Sequence, residues 1–294
     1  MTKNLVLAGI GLLHLVDDGT LSDATLPGNF LVPATPDVVG ASVSETCAKG
    51  LKEMNPLVDV SSEIADPRTY VQAADDNMVH ALGNYNTVLA FDMPATIVRE
   101  IDERCASLNI PFCACTSRGV SGWIFVDPQR HEYIVENSQE DEKTGEVKKQ
   151  IEQKTVQGVG FEKVVEEMVA MAAGTAAGMG TQSDLTARRR RRRRSTVFDV
   201  IVRCAEYELQ TGRHVSMADM EPLKDKVCGP DAVSLAGDAV ALADYLEGAC
   251  VPAVNAVLGG IMANDVIKLV SKKGALGVDR LFCYSAIDDA GWTM

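Results

Sequence analysis

Histidine is scarce in this sequence: four residues, spread and unpaired, leave no triad to assemble. The eight cysteines (Cys47, Cys105, Cys113, Cys115, Cys204, Cys228, Cys250 and Cys283) include no CxxC pair and no nearby histidine partner. That removes the support for a zinc site and points to reduced, mostly buried thiols. No run approaches the roughly 18 uncharged apolar residues of a membrane span, and the amino terminus lacks the basic, apolar, small-residue pattern of a signal peptide. An intracellular protein that does not engage a membrane is therefore expected. Basic residues are in deficit, 28 Lys and Arg against 41 Asp and Glu, for a formal charge of −13. This argues against nucleic acid as the main partner and leaves room for a basic protein. Aromatic residues make up only 5% of the 294 positions, yet 46% are hydrophobic, enough for one large domain or two modest ones.

What the chain does have begins at once, in the stretch NLVLAGIGLLHLVDDG from Asn4 to Gly19. Leu5, Val6 and Leu7 close a helical turn, Gly9 breaks it, and Leu12 to Val16 form an apolar strand ending in Asp17 and Asp18. This is the second half of a βαβ unit. In nucleotide-binding α/β folds an acid at the tip of the second strand faces the ribose, and a glycine-rich turn ahead of the helix cradles phosphates. Here the acid, Asp17, is present and the glycine turn is not.

Thr20 to Val39 is rich in Pro, Gly and small polar residues and reads as a long loop, of the kind used for binding or interfaces. A helix follows over Gly40 to Met54, with Val43, Cys47 and Leu51 on one face, then a short strand from Leu57 to Val60. Asp66 to Leu82 is polar and helical in part. Thr87 to Phe91 is a buried strand, Ala95 to Leu108 an amphipathic helix carrying Ile97, Ile101 and Cys105, and Ile110 to Cys115 the next strand. Gly122 to Val126 and His131 to Val135, joined by the turn Asp127-Pro128-Gln129-Arg130, read as an antiparallel hairpin. The series implies a parallel sheet with an antiparallel extension.

Asn137 to Lys154 is charged and poor in apolar residues, and reads as an exposed crossover or linker. Gly158 to Met179 contains a helix. Arg188, Arg189, Arg190, Arg191, Arg192, Arg193 and Arg194 form an unbroken run. Such a run is either a solvated, self-repelling segment or a nuclear import signal and acidic-partner patch. Val197 to Leu209 and Met217 to Val227 are helical. Glu247 to Leu269 holds a further helix with Gly259 and Gly260 for close packing, and Leu281 to Tyr284 and Gly291 to Met294 are two last strands.

Six stretches in register carry a resemblance: NLVLAGIGLLHLVDDG, LPGNFLV, NPLVDV, TVLAF with IVREIDERCASLNIPF, GWIFVDPQRHEYIVE, and CVPAVNAVLGGIMANDVIKLVS. Together they resemble the MoeB/ThiF and ubiquitin-activating enzyme superfamily, and within it the smaller subunits of SUMO-activating enzymes. The fold implied is α/β, a doubly wound, mostly parallel, Rossmann-like adenylation fold lacking its first strand, with an antiparallel extension. Residues 1–136 would form the first part of the adenylation-like domain, 137–195 a charged, flexible crossover with the arginine run, and 196–294 the helices and strands that complete it.

The resemblance also implies a division of labour. A larger catalytic subunit would carry the working ATP site and the catalytic cysteine, and the heterodimer would use Mg-ATP to adenylate SUMO and pass it to that cysteine. The present chain would be a regulatory subunit with no catalytic residue, no metal and no cofactor of its own, its partners being the larger subunit and SUMO. Where active members hold phosphates with Asn and Arg, this sequence has Leu26-Pro27-Gly28-Asn29-Phe30, without the arginine. Where they place a metal-binding acid followed by Asn, it has Asp92-Met93-Pro94. Asp17 is then a vestigial cofactor contact. Smaller subunits of this superfamily also begin with a helical segment, a first strand and a glycine turn, none of which is here. The chain on its own is accordingly expected to be poorly stable, the product of an incompletely read or alternatively spliced gene.

Among the cysteines, only Cys115 stands beside a basic residue, Arg118, in an expected loop, and Cys113 and Cys115 share a strand face. Both are expected to be structural. The arginine run points to the nucleus, with the cytoplasm also open. Two other classes compete: a dinucleotide-binding oxidoreductase, weakened by the absent glycine turn, and a stand-alone sulfur-carrier adenylyltransferase, weakened by the absent arginine and the charged insert.

Overall fold

The computed structural model describes residues 1–23, 26, 29–33, 35–69, 82–140, 147–172, 196–228, 235–247, 251–287 and 289–293. The chain opens with helix α1 (Thr2–Leu7), strand β1 (Leu12–Val16), helix α2 (Val43–Met54) and strand β2 (Asp59–Glu63). Gly9 makes the first turn possible by taking φ +80°. Ser42 caps α2 by accepting the Glu45 N–H, and Asn55 ends it while donating its side-chain amide to the Val6 carbonyl at 2.9 Å. β1 and β2 pair in parallel, with Leu13 opposite Val60. Val6, Leu13, Ala48, Leu51, Val58 and Val60 form one apolar cluster, so α1 and α2 cover the same face of this pair.

The second sheet has five strands in the order β3-β4-β5-β8-β9: β3 (Val88–Phe91), β4 (Phe112–Arg118), β5 (Ser121–Asp127), β8 (Leu281–Ser285) and β9 (Ala290–Thr293). Only β3 and β4 run parallel; the remaining pairs are antiparallel. Alternation along the strands sorts side chains to two buried faces. Phe112, Ala114 and Phe125 pack with helix α3 (Ala95–Ser107), α4 (Phe161–Ala172), α5 (Thr196–Thr211) and α7 (Leu235–Glu247). Cys113, Cys115, Ile124 and Val126 pack on the opposite face with α8 (Pro252–Ser271). Helix α6 (Met220–Cys228) follows a short 3₁₀ turn over Met217–Asp219.

By length and composition α8 would suffice to cross a membrane. Here it is a core helix: Val254, Leu258, Met262 and Val266 are buried, and the buried Asp265 accepts the N–H groups of Gly277 and Val278 at 2.7 Å each. Gly259 lets α1 approach, since a Cβ there would lie 3.0 Å from the Met1 nitrogen, whereas Gly260 faces open space.

The expected α/β architecture is present, with a larger antiparallel share than the strand signals suggest. The hairpin expected between Gly122 to Val126 and His131 to Val135 does not form. β5 is buried along its whole length and lies between β4 and β8, while β6 (Arg130–Glu140) pairs with β7 (Val147–Gln157). A strand with both faces covered seeks two neighbours, and the turn at Asp127 to Arg130 redirects the chain out of the sheet. The charged stretch from Asn137, read as a linker, thus supplies part of a two-stranded ribbon, exposed over 151–155. Helix α7 leaves little mark in the sequence, because its small residues give little periodic contrast. The helical expectation for Asp66 to Leu82 falls largely on residues outside the described ones, as does the whole arginine run.

Candidate functional site

In open α/β sheets ligands gather at the carboxyl ends of parallel strands, here the ends of β1 and β3. β1 delivers Asp17 where expected. Its Oδ1 accepts the Gly19 N–H at 2.7 Å, and its carbonyl accepts the Ser44 hydroxyl at 3.2 Å, so the side chain caps its own turn. Asn29 is similarly occupied. Its amide donates to Cys47 Sγ at 3.3 Å, and its Oδ1 accepts the Leu31 N–H at 3.0 Å. Pro27 and Gly28 lie outside the described residues.

Asp92 follows the last residue of β3 and is held at φ +48°. The Asp92 carboxylate is exposed and lies 4.0 Å from the Arg118 guanidinium, which itself donates to the Val215 carbonyl at 3.3 Å. Behind it stands a buried acid from α5, Glu208, which no motif in the sequence marks. One Glu208 oxygen accepts the first N–H of α3, at Ala95, at 3.0 Å; the other accepts the Val215 N–H at 3.0 Å and meets His214 Nδ1 at 3.2 Å. His214 Nε2 reaches the Asp92 carbonyl at 3.0 Å. The amino end of a helix attracts anions, and here a carboxylate of the chain itself sits there. Ala95 and Glu208 are 113 residues apart, so no local signal marks that contact. Arg118, by contrast, follows Cys115 on the strand next to β3.

Between β1 and β3 runs a cleft of about 360 Å³, walled by Leu13, Leu15, Val88, Ala90, Met93 and Ile101. Among the described residues no cluster of three or more His, Cys, Asp or Glu side chains is placed to hold a metal. Among the described residues two arginines are engaged by carboxylates: Arg118 faces Asp92, and Arg68 is paired with Asp66 at 2.7 Å.

Cys115 is on β4 rather than in a loop, buried on the α8 face together with Cys113. Burial raises the thiols of Cys113, Cys204 and Cys283 far above the usual range and pushes Cys105 up to about 12, conditions opposed to a thioester-forming thiolate. Two acids raised above the ordinary carboxylate range lie elsewhere, at the root of the β6–β7 ribbon. Asp102, which accepts the Phe161 N–H at 2.8 Å, is pushed up to about 7, first by burial and then by the nearby Asp127. Asp127 is raised by burial as well.

Over 297 residues the chain is 27% identical to SUMO-activating enzyme subunit 1B-1 of Arabidopsis thaliana, covering 98% of this chain and 82% of that protein. It is 21% identical over 298 residues to the DNA damage tolerance protein RHC31 of Saccharomyces cerevisiae, covering 93% of this chain and 80% of that one. Among solved structures, the E. coli MccB structure with succinimide superimposes with a TM-score of 0.51 at 13% identity, over 99% of this chain and 60% of that one, a likeness of fold. The ThiF family model matches residues 1–293, end to end across both sheets and the helices between them, and the chain belongs to the ThiF family.

Proposed function

We propose that this chain is the smaller, regulatory subunit of a heterodimeric SUMO-activating enzyme. The observation that carries the reading is the collinear match to subunit 1B-1 over 98% of the chain. In this role the chain pairs with a larger catalytic subunit, which binds Mg-ATP, adenylates SUMO and takes it up as a thioester. The site geometry supports that division of labour: Asp17 caps its own turn, Glu208 occupies the amino end of α3, and the shifted thiols are raised. The chain itself binds no cofactor with functional consequence and contributes surface to the partner and to SUMO. Arg188 to Arg194 direct the protein to the nucleus.

Co-purification with a SUMO-activating large subunit, followed by an ATP-dependent SUMO thioester assay, tests the reading. Complex formation together with thioester formation that depends on this chain is the expected result. Failure to bind the large subunit would overturn it and return attention to a dinucleotide-binding oxidoreductase. ATP-dependent adenylation by this chain alone would favour a stand-alone sulfur-carrier adenylyltransferase.

A further inference from the structure

The β6–β7 ribbon joins the body of the molecule through two stalks, residues 127–130 on the way out and 157–161 on the way back. The Gly158 N–H ties them together by donating to the Gln129 carbonyl at 2.7 Å. Each stalk is also tied to a carboxyl. Asp127 Oδ1 accepts the Gln129 N–H at 2.8 Å, and Asp102 Oδ2, from α3, accepts the Phe161 N–H at 2.8 Å. Both acids are only 3% exposed. A Cβ at Gly158 would collide with the Asp127 carboxyl, and one at Gly160 would lie 3.4 Å from Asp102 Oδ2, so the returning stalk closes over the pair with two bare glycines.

The two carboxyls meet each other. Two carboxylates offer only acceptors, and among the described groups no donor reaches the buried Asp102 Oδ1. Their contact therefore requires a proton on one of them. The surroundings supply no substitute. Besides Asp127, the charged side chain acting on Asp102 is another acid, Glu103. The thiols of Cys105 on α3 and Cys113 on β4 are themselves raised by burial. Arg99 of α3 lies 3.8 Å from Glu103 and 3.4 Å from Glu162 of α4, and Arg130 at the foot of β6 is paired with Glu132 at 2.6 Å.

We propose that a single proton shared between Asp102 and Asp127 bolts the root of the β6–β7 ribbon to α3, and that the root loosens when that proton leaves. Once both are ionised, the carboxylates repel at close range in a site that screens charge poorly. Asp102 keeps its place, because Phe161, whose N–H it holds, is packed on Trp123 at 5.6 Å and on Phe125 at 5.1 Å between ring centres. The movable part is the stalk around Gln129 and Gly158. Gln129 stands at φ +54°, a conformation that residues other than glycine adopt at a cost, so the turn relaxes when it is released.

Amide exchange of the full chain at about pH 5.5 and about pH 8.5, with the intrinsic chemical rate divided out, tests this. Protection at Gln129 and Gly158 should fall by about tenfold or more between the two, leaving both far less protected than Ile124 of β5, which opens only with the whole sheet. Asp102→Asn and Asp127→Asn each set an amide donor against the remaining carboxylate, so both variants should hold the root closed at either pH. Carboxyl carbon shifts of the unmodified chain need no variant: one carboxyl of the pair should stay protonated to near neutral pH. Stalk protection that ignores pH, or that still equals that of Ile124 at about pH 8.5, would overturn the proposal. So would a fall that persists in both Asn variants, or two carboxyls already ionised at about pH 5.5. Protection restored at about pH 8.5 by added sodium or calcium ions would overturn the proton's part and make the pair a cation site.

Discussion

β5 and β1 are both strands of Leu-, Val- or Ile-bearing sequence, yet they stand differently toward water. β5 is buried at every residue, with a strand on each side and helices on both faces. Among the described residues β1 has one strand beside it and helices on one face, and its Leu12 is 49% exposed. The contrast shows that strand burial in this chain is set by neighbours rather than by composition. The five-stranded sheet should behave as the cooperative centre, and the β1–β2 layer as a unit that opens at lower free energy.

The largest effect is expected from Phe125→Ala, which empties space against Phe112 and Phe161. About 3–5 kcal/mol of stability should be lost, seen as a fall in the denaturant midpoint by every probe at once. Leu51→Ala, in the α2 face of the smaller layer, should cost about 2–3 kcal/mol, read as faster exchange in β1, β2 and α2 while β5 stays protected. Equal acceleration in β5 would erase the distinction between the two regions.

A smaller, pH-dependent effect separates them further. Asp102 and Asp127 belong to the five-stranded body, and both carboxyls titrate above their unfolded values, so the native state holds protons the unfolded chain has released. Their stabilising contribution is complete below the unfolded value of 3.8 and is lost as pH rises through about 7, the folded value for Asp102. Melting temperatures should therefore decline across that window by a few degrees, and Asp102→Asn should flatten the slope. Smallest of all, Asp17→Ala removes the cap on the Gly19 N–H and should cost about 1 kcal/mol, with loosening confined to the β1 end.

The sequence carries the elements well wherever one short-range pattern decides them. Val43, Cys47 and Leu51 mark α2, Ile97, Ile101 and Cys105 mark α3, and the apolar runs at Leu12 and Val88 mark β1 and β3. Pairing is another matter. Nothing near Trp123 announces that β5 joins a strand whose partner residue is Cys283, and the turn at Asp127 mimics a hairpin that the ribbon then contradicts. The same limit applies to the site. Asp17 is visible as a strand-end acid, but its engagement with Gly19 depends on turn geometry, and Glu208 reaches the amino end of α3 only through folding.

Glu208 has a consequence for what this chain can become. Its carboxylate fixes the start of α3, the Val215 backbone and His214 together. An incoming phosphate would have to displace a group of like charge, and removing that group by mutation would release all three attachments at once. Opening that helix end to an anion would call for coordinated changes in α5, in the segment around Val215 and at the head of α3. The start of α3, the Val215 backbone and His214 are thus held through one carboxylate, and the three would be released together.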